Sequence, residues 1–366
     1  MAAASTYLDH NATSPLRPVA LDAMVEALQA GGNPSSIHKP GRAARGRVDR
    51  ARKQVAGLVG ALPAEVVFTS GGTEANNMAL RGHERVLVSA IEHESVLKAV
   101  PDAGRIPVDG NGVIDLAALE RMLADRPALV SVMFANNETG VIQPIAEVVR
   151  LARAAGVLVH CDAVQAAGKV PVDLHGLGVD YLSLSAHKLG GPTGVGALVV
   201  RAGAPFATDR VGGGQESNRR AGTENVAGIA GFGAAAEAAG DGVDVAALRD
   251  RIEASLPGKV YGAVAPRLTN TTCISMPDVK AETQVMALDL AGVAVSAGSA
   301  CSSGKVTRSA VLTAMGIEAS EAETAIRISC GWNTVFEDID RLIAAWQGLY
   351  TRVTRSDIDP ATRRAA

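Results

Sequence analysis

Val66-Val67-Phe68, Val86-Leu87-Val88, Leu129 to Phe134, Val157 to His160, Tyr181 to Leu184 and Ala197 to Val200 are short apolar runs separated by amphipathic stretches. The alternation predicts repeated β-α units around a mostly parallel sheet buried on both faces. Ile145 to Ala155 places Ile145, Val148, Val149 and Ala152 at helical spacing between Pro144 and Gly156, so it is expected to cover one sheet face. Upstream, Pro18 to Leu28 and Ala43 to Leu58 read as helices on either side of the turn-rich Gly31 to Gly41. Downstream, the glycine-rich Gly212 to Gly233 precedes an alanine-rich stretch, Ala234 to Pro257, that reads as helix. A second unit follows, in which strand-like Thr271 to Met276 and Val293 to Ser296 precede two C-terminal helices. Ser356 to Ala366 read as a frayed end.

The 366 residues exceed what one hydrophobic core usually serves and favour two domains. Hydrophobic residues at 47%, aromatics at 3% and 39 glycines point to a helix- and loop-rich α/β enzyme rather than a β-sandwich or a disordered chain. Lys plus Arg number 35 against 38 Asp plus Glu, and with so few aromatics no nucleic-acid groove is expected. Met1 to Tyr7 lacks a cationic segment followed by an apolar stretch, and no run of about 18 uncharged apolar residues occurs. Neither a signal peptide nor membrane contact is expected, and the chain reads as cytoplasmic. Cys161, Cys273, Cys301 and Cys330 form no C-x-x-C pair, which fits reduced thiols better than disulfides or a zinc site, and no metal is expected.

Three local patterns carry chemistry. Val66 to Glu74 is a strand ending in Ser70-Gly71-Gly72-Thr73, a turn opening a helix whose free N–H groups and dipole would cradle phosphate. An ordinary β-α turn capped by Thr73 fits equally well. In His160-Cys161-Asp162-Ala163-Val164-Gln165 an acid ends an apolar strand at the sheet edge where α/β proteins bind ligands. Asp162 would hold a cationic ring nitrogen there or, more commonly for such an acid, cap the next segment. In Leu182 to Pro192, Lys188 follows a buried strand among hydroxyl, imidazole and glycines. A lysine at a strand exit is more often structural, but in a polar cleft it can bond covalently to an aldehyde cofactor. Cradle, carboxylate and amine together are the contacts that pyridoxal phosphate requires.

From Tyr7-Leu8-Asp9-His10-Asn11-Ala12-Thr13 nearly to Trp332-Asn333-Thr334 the sequence resembles the cysteine desulfurases of the NifS/IscS type, within the class V aminotransferase group. The resemblance implies an aspartate aminotransferase-like α/β fold, the pyridoxal-phosphate-dependent transferase fold type I. It implies a large domain over residues 15–255, and a smaller α+β domain from residues 1–14 and 256–366 that carries a mobile cysteine loop. Position by position it makes Lys188 the Schiff-base lysine, Asp162 the partner of the pyridine nitrogen and Gln165 the donor to the ring's phenolic oxygen. His93, in Ala90-Ile91-Glu92-His93-Glu94-Ser95, matches the ring-stacking histidine that also moves protons. Gly72, Thr73, Ser185, His187 and Asn137 match phosphate or cofactor-pocket positions. Thr223 matches the residue that reaches the neighbouring subunit's phosphate, implying a homodimer.

The resemblance further assigns Cys301, in Ser296-Ala297-Gly298-Ser299-Ala300-Cys301-Ser302-Ser303-Gly304, as the persulfide cysteine. Arg327 then grips the α-carboxylate of L-cysteine, and Asn33 and His38 match an active-site loop. The implied products are alanine and a persulfide passed to a sulfur-acceptor protein, for iron–sulfur cluster, thio-cofactor or transfer-RNA thiolation pathways. Without that match, Cys301 is a small hydrophobe, Arg327 an edge-strand arginine and Asn33 plain turn chemistry. Cys161, Cys273 and Cys330 have no counterpart and are expected to be packed thiols. The sequence departs from the pattern at Thr193, where relatives carry lysine, and at Ser217-Asn218, where Arg-Gly is common.

Overall fold

The computed structural model describes residues 6–240, 245–298 and 308–358. After β1 (Thr6–Tyr7), seven strands form the principal sheet: β2 (Val66–Thr69), β3 (Val86–Ser89), β4 (Gly104–Ile106), β5 (Leu129–Ser131), β6 (Leu158–Asp162), β7 (Tyr181–Ser185) and β8 (Gly196–Val200). Their order is β2-β8-β7-β6-β5-β3-β4. β8 alone runs against the direction of the other six strands, pairing antiparallel with both β2 and β7. The reason is the link before it: Ala186–Val195 is too short to hold a crossover helix, and a short link returns a strand antiparallel. β2, β3, β5, β7 and β8 are buried along their whole length, as continuous apolar runs in a doubly covered sheet should be. The sequence reading missed β4, an edge strand whose only pairing is with β3 and which offers a single buried apolar residue, Ile106.

The helix Ile145–Ala154 buries Ile145, Val148, Val149 and Ala152, the face its spacing predicts. The second N-terminal helix starts at Lys39 rather than Ala43, because His38 Nδ1 accepts the Gly41 N–H at 3.2 Å and Pro40 suits a first turn. The glycine-rich stretch required a larger correction. A helix occupies Val226–Glu237, and a separate one Val245–Ser255, in place of a single helix from Ala234. Its glycines are contact points: a Cβ on Gly231 would sit 2.6 Å from Met24 Cγ, and one on Gly233 2.6 Å from Ala51 Cα. Close packing against Pro18–Ala30 and Lys39–Leu58 offsets the entropy that glycine costs a helix.

In the second unit β9 (Thr271–Ser275), β10 (Val293–Ala294), β11 (Ser296–Ala297) and β12 (Ala325–Ser329) complete the strands. β11-β12-β9 is antiparallel with β12 central, while β10 pairs in parallel with β1. The expected strand Val293 to Ser296 is therefore divided between two sheets. Ala310–Ala314, Ala319–Ala322 and the long Phe336–Ile358 supply the C-terminal helices. One apolar cluster fills the principal sheet's surroundings, and another joins Leu8 and the helix Val245–Ser255 to Ile274, Ile326 and Trp346. Among the described residues no helix is long and apolar enough to cross a membrane.

Candidate active site

The carboxyl ends of β2, β6 and β7 open onto a cavity of about 490 Å³, which the N-terminal segment and β12 close from the opposite side. Gly72, Thr73, His93, Asn137, Asp162, Gln165, Ser185, His187, Lys188 and Arg327 all line it. At one end of it the helix Gly72–Leu80 begins directly after the Ser70-Gly71 turn. A Cβ on Gly72 would lie 2.9 Å from Val164 Cγ2, so the close approach of this turn to the segment after β6 requires glycine. Glu74 beside it is bound by Arg210 Nε at 3.0 Å and Arg220 Nε at 3.1 Å. Burial raises its pKa, but Arg220 and Ser70 outweigh that and hold it down at about 2.

Asp162, the last residue of β6, is 6% exposed. Oδ1 accepts the Val164 N–H at 2.9 Å, so the acid caps the segment after β6, and its carboxylate also lines the cavity. Oδ2 accepts from Asn76 Nδ2 at 2.7 Å, and the same amide donates to Ser95 Oγ at 2.9 Å. Ser95 meets His93 Nδ1 through its backbone N–H at 3.1 Å and its hydroxyl at 2.8 Å. Because Nδ1 is thus an acceptor, the proton of a neutral His93 resides on Nε2. Glu92 accepts the Met133 N–H through Oε1, and burial, reinforced by Asp162, raises its pKa well above the carboxylate range.

Lys188 stands on the short turn Ala186–Lys188 that leaves β7, and its Nζ donates to the carbonyls of Asn11 and Ala12, the latter at 2.7 Å. Gln165 Nε2 donates to the same Asn11 carbonyl at 2.9 Å. His187 Nδ1 lies 3.2 Å from Thr13 Oγ1; burial and then Lys188 push its pKa down to about 4, so it is neutral at physiological pH. Arg327 enters from β12 and is only 2% exposed, which corrects the picture of an edge-strand arginine. Its Nη2 pairs with Asp9 Oδ1 at 2.8 Å and its Nη1 donates to the Asn137 carbonyl at 3.1 Å, while its buried Nε has no partner among the described residues.

A class-V aminotransferase family model matches residues 6–342. Two curated relatives are cysteine desulfurases: that of Cereibacter sphaeroides, 46% identical over 92% of this chain and 93% of its own length, and that of Sinorhizobium fredii, 42% identical over 92% and 94%. The solved NifS-like protein of Rickettsia africae superposes with a TM-score of 0.89 at 34% identity, covering 95% of this chain and 99% of that one. The chain belongs to the class-V aminotransferases, as a cysteine desulfurase of the NifS/IscS type. Its fold is the pyridoxal-phosphate-dependent fold type I, and pyridoxal 5′-phosphate is its cofactor. The residues present fit that group: a helix start that admits no Cβ at Gly72, a buried acid, and an amine share one cavity.

Other expected residues of this desulfurase lie elsewhere. Thr223 lines a separate cleft of about 120 Å³ with Ser70, Gly194 and Arg220. Asn33 and His38 are exposed on the turn before Lys39–Leu58, where Asn33 Oδ1 accepts the Ser35 N–H at 2.9 Å and His38 acts as a helix cap. Cys301 lies outside the described residues. Cys161, Cys273 and Cys330 are buried free thiols; burial raises all three, Cys330 to about 12, so they are unreactive. Thr193, one departure from the pattern, lines the cavity. At the other, Ser217 and Asn218 follow Glu216 in the left-handed region, with φ of 48°, 56° and 64° from Glu216 onward. Glu216 is fixed there by both Arg52 guanidinium nitrogens at 2.7 Å.

Sequence reasoning missed Asn76, Ser95, Asn11 and Lys169. A signal existed for Asn76, one turn after Gly72 on the same helix face and so directed at the same site. Ser95 and Lys169 meet His93 and Gln165 within a few residues but join the site through Asn76 and Asn11 far along the chain, and Asn11 enters it only through distant segments.

Proposed function

We propose that the cavity removes sulfur from L-cysteine to give L-alanine and a persulfide on Cys301. The observation that carries this reading is the convergence of Lys188, Asp162 and Arg327 on one cavity. When bound, pyridoxal phosphate supplies an aldehyde for amines and a sink for the electron pair of a breaking Cα–H bond. The chain's residues do the rest. The glycine turn and Thr73 hold phosphate, Asp162 keeps a proton on the ring nitrogen, and Gln165 donates to the ring oxygen. Arg327 grips the substrate carboxylate with its planar fork. Lys188 Nζ takes the Cα proton, and His93, which would lie against the ring, carries protons through Nε2.

The Cys301 thiolate attacks the substrate sulfur: an S–S bond forms and the C–S bond breaks. Its electron pair remains with the substrate carbon, which takes up a proton to become alanine. The persulfide passes to a sulfur-acceptor protein. A Cys301→Ser protein is expected to keep the cofactor's visible band while alanine and sulfide release from cysteine stop. Retained turnover would remove Cys301 from the reaction.

The working unit in this reading is a cytoplasmic homodimer in which Thr223 reaches the other subunit's phosphate. In support, Val19, Leu21, Val25 and Leu28 on the helix Pro18–Ala30, together with Ile37, are exposed. The two-domain division is supported by the separate apolar clusters, although Val245–Ser255 packs with the smaller unit, inside the boundary expected at residue 255.

A further inference from the structure

A second lysine stands behind Lys188, and the reaction above does not use it. Lys169 is half-buried, and its Nζ donates to Gln165 Oε1 at 2.9 Å and to Asn11 Oδ1 at 3.0 Å. Gln165 Nε2 donates in turn to the Asn11 carbonyl, the acceptor it shares with Lys188 Nζ. Gln165 and Asn11 line the large cavity, whereas Lys169 lines a smaller neighbouring one of about 170 Å³ with His10 and Arg17.

An ammonium only donates, and an amide has one accepting and one donating end. With Oε1 held by Lys169, the Gln165 amide cannot turn end for end without setting donor against donor. Its N–H₂ end therefore stays on the Asn11 and Lys188 side. Among the described residues Lys169 forms no ion pair: both its hydrogen-bond partners are neutral amides, His10 beside it is neutral, and the cations around it are Lys188, Arg17 and Arg327, the last paired with Asp9. Burial, then Lys188 and Arg327, push its pKa down to about 7. A cation among cations is unfavourable unless the amides that it orients are what it is there for.

We propose that Lys169 is a positioning residue that locks the Gln165 amide with its donor end toward the ring oxygen of pyridoxal phosphate. The inference rests on the reading of Lys188 and Gln165 given above. Its test is the pH midpoint of the holoenzyme's visible absorbance band in the unmodified protein, Lys169→Met, Gln165→Leu and the double variant. Loss of a donor to a ring oxygen that carries negative charge lets the cofactor keep its proton to higher pH, so each single change should raise the midpoint by about one pH unit. The double variant should shift no further than either single one, and Lys169→Arg, which keeps the donors, should hold the original midpoint.

An unshifted Lys169→Met, or a double shift equal to the sum of the singles, overturns the proposal. If Lys169→Met does not fold, Lys169→Leu, which likewise has no donor, is read in the same way; failure of both to fold makes the position structural and also overturns it. The supporting reading fails separately. A Lys188→Ala protein that still forms the original band sinks the assignment of Lys188, whatever happens at position 169.

Discussion

Asn76 Nδ2 lies 2.7 Å from Asp162 Oδ2 and 2.9 Å from Ser95 Oγ, so one buried amide ties the acid at the end of β6 to the residue that hydrogen-bonds His93 Nδ1. Asn76→Leu strips Asp162 Oδ2 of that donor inside the protein. The expected cost is about 1–3 kcal/mol of stability together with weakened cofactor binding. Urea unfolding and titration of the apo-protein with pyridoxal phosphate measure the two, and wild-type values for both would show that Asp162 does not depend on this amide.

Arg327 meets Asp9 and the Asn137 carbonyl through its two terminal nitrogens. Lys in its place keeps the charge but loses the fork. We expect Arg327→Lys to raise KM for cysteine about tenfold, the effect of losing roughly 1.4 kcal/mol of binding, with a smaller change in kcat. Steady-state alanine release decides this; a fall in kcat at constant KM would place Arg327 outside carboxylate recognition.

Glu138 donates pH dependence to stability. Its buried carboxyl accepts the Ser309 hydroxyl at 2.5 Å, and burial lifts its pKa to about 7 against an ordinary 4.5. Below pH 4.5 both folded and unfolded chains hold the proton. Between 4.5 and 7 the unfolded chain releases it first, so stability falls as pH rises, by up to about 3 kcal/mol. Glu138→Gln should remove this slope. Urea unfolding across pH 4.5–8 compares the two proteins, and parallel profiles would show that the carboxyl is not held protonated.

Arg52 and Glu216 form a buried bidentate pair, with Glu216 also accepting the Phe68 N–H at 2.9 Å. Arg52→Ala leaves that carboxylate unpaired in the interior, at an expected cost of about 3–5 kcal/mol. Replacing Glu216 with Gln in the same background should recover part of the loss. Equal stability of Arg52→Ala and the unmodified protein in denaturant would count against the pair as the anchor of the left-handed turn.

Most of the principal sheet was legible because its signal is local. Six of its strands are apolar runs, and the edge strand β4 escaped because Gly104-Arg105-Ile106 has too few buried side chains to show a pattern. The glycine-rich helix Val226–Glu237 escaped for the opposite reason. Its glycines suit a helix only because Met24 and Ala51 press against them, a fact of packing rather than of composition. The cavity residues divide in the same way. Asp162 and Lys188 could be read from their places at the ends of β6 and β7, whereas Asn11 and Asn76 gain their roles from partners far along the chain.

The amino-acid order alone determined the strand rhythm, the glycine turn after β2, the acid at a strand end and the lysine just beyond another, since each depends on spacing within a few residues. Tertiary structure alone decided that Arg327 is sunk beside Asp9, that Thr223 stands in its own cleft, and that Lys169 reaches Asn11. Periodicity tells which face of a segment avoids water. Which distant groups then satisfy one another's hydrogen bonds is settled only when the segments meet.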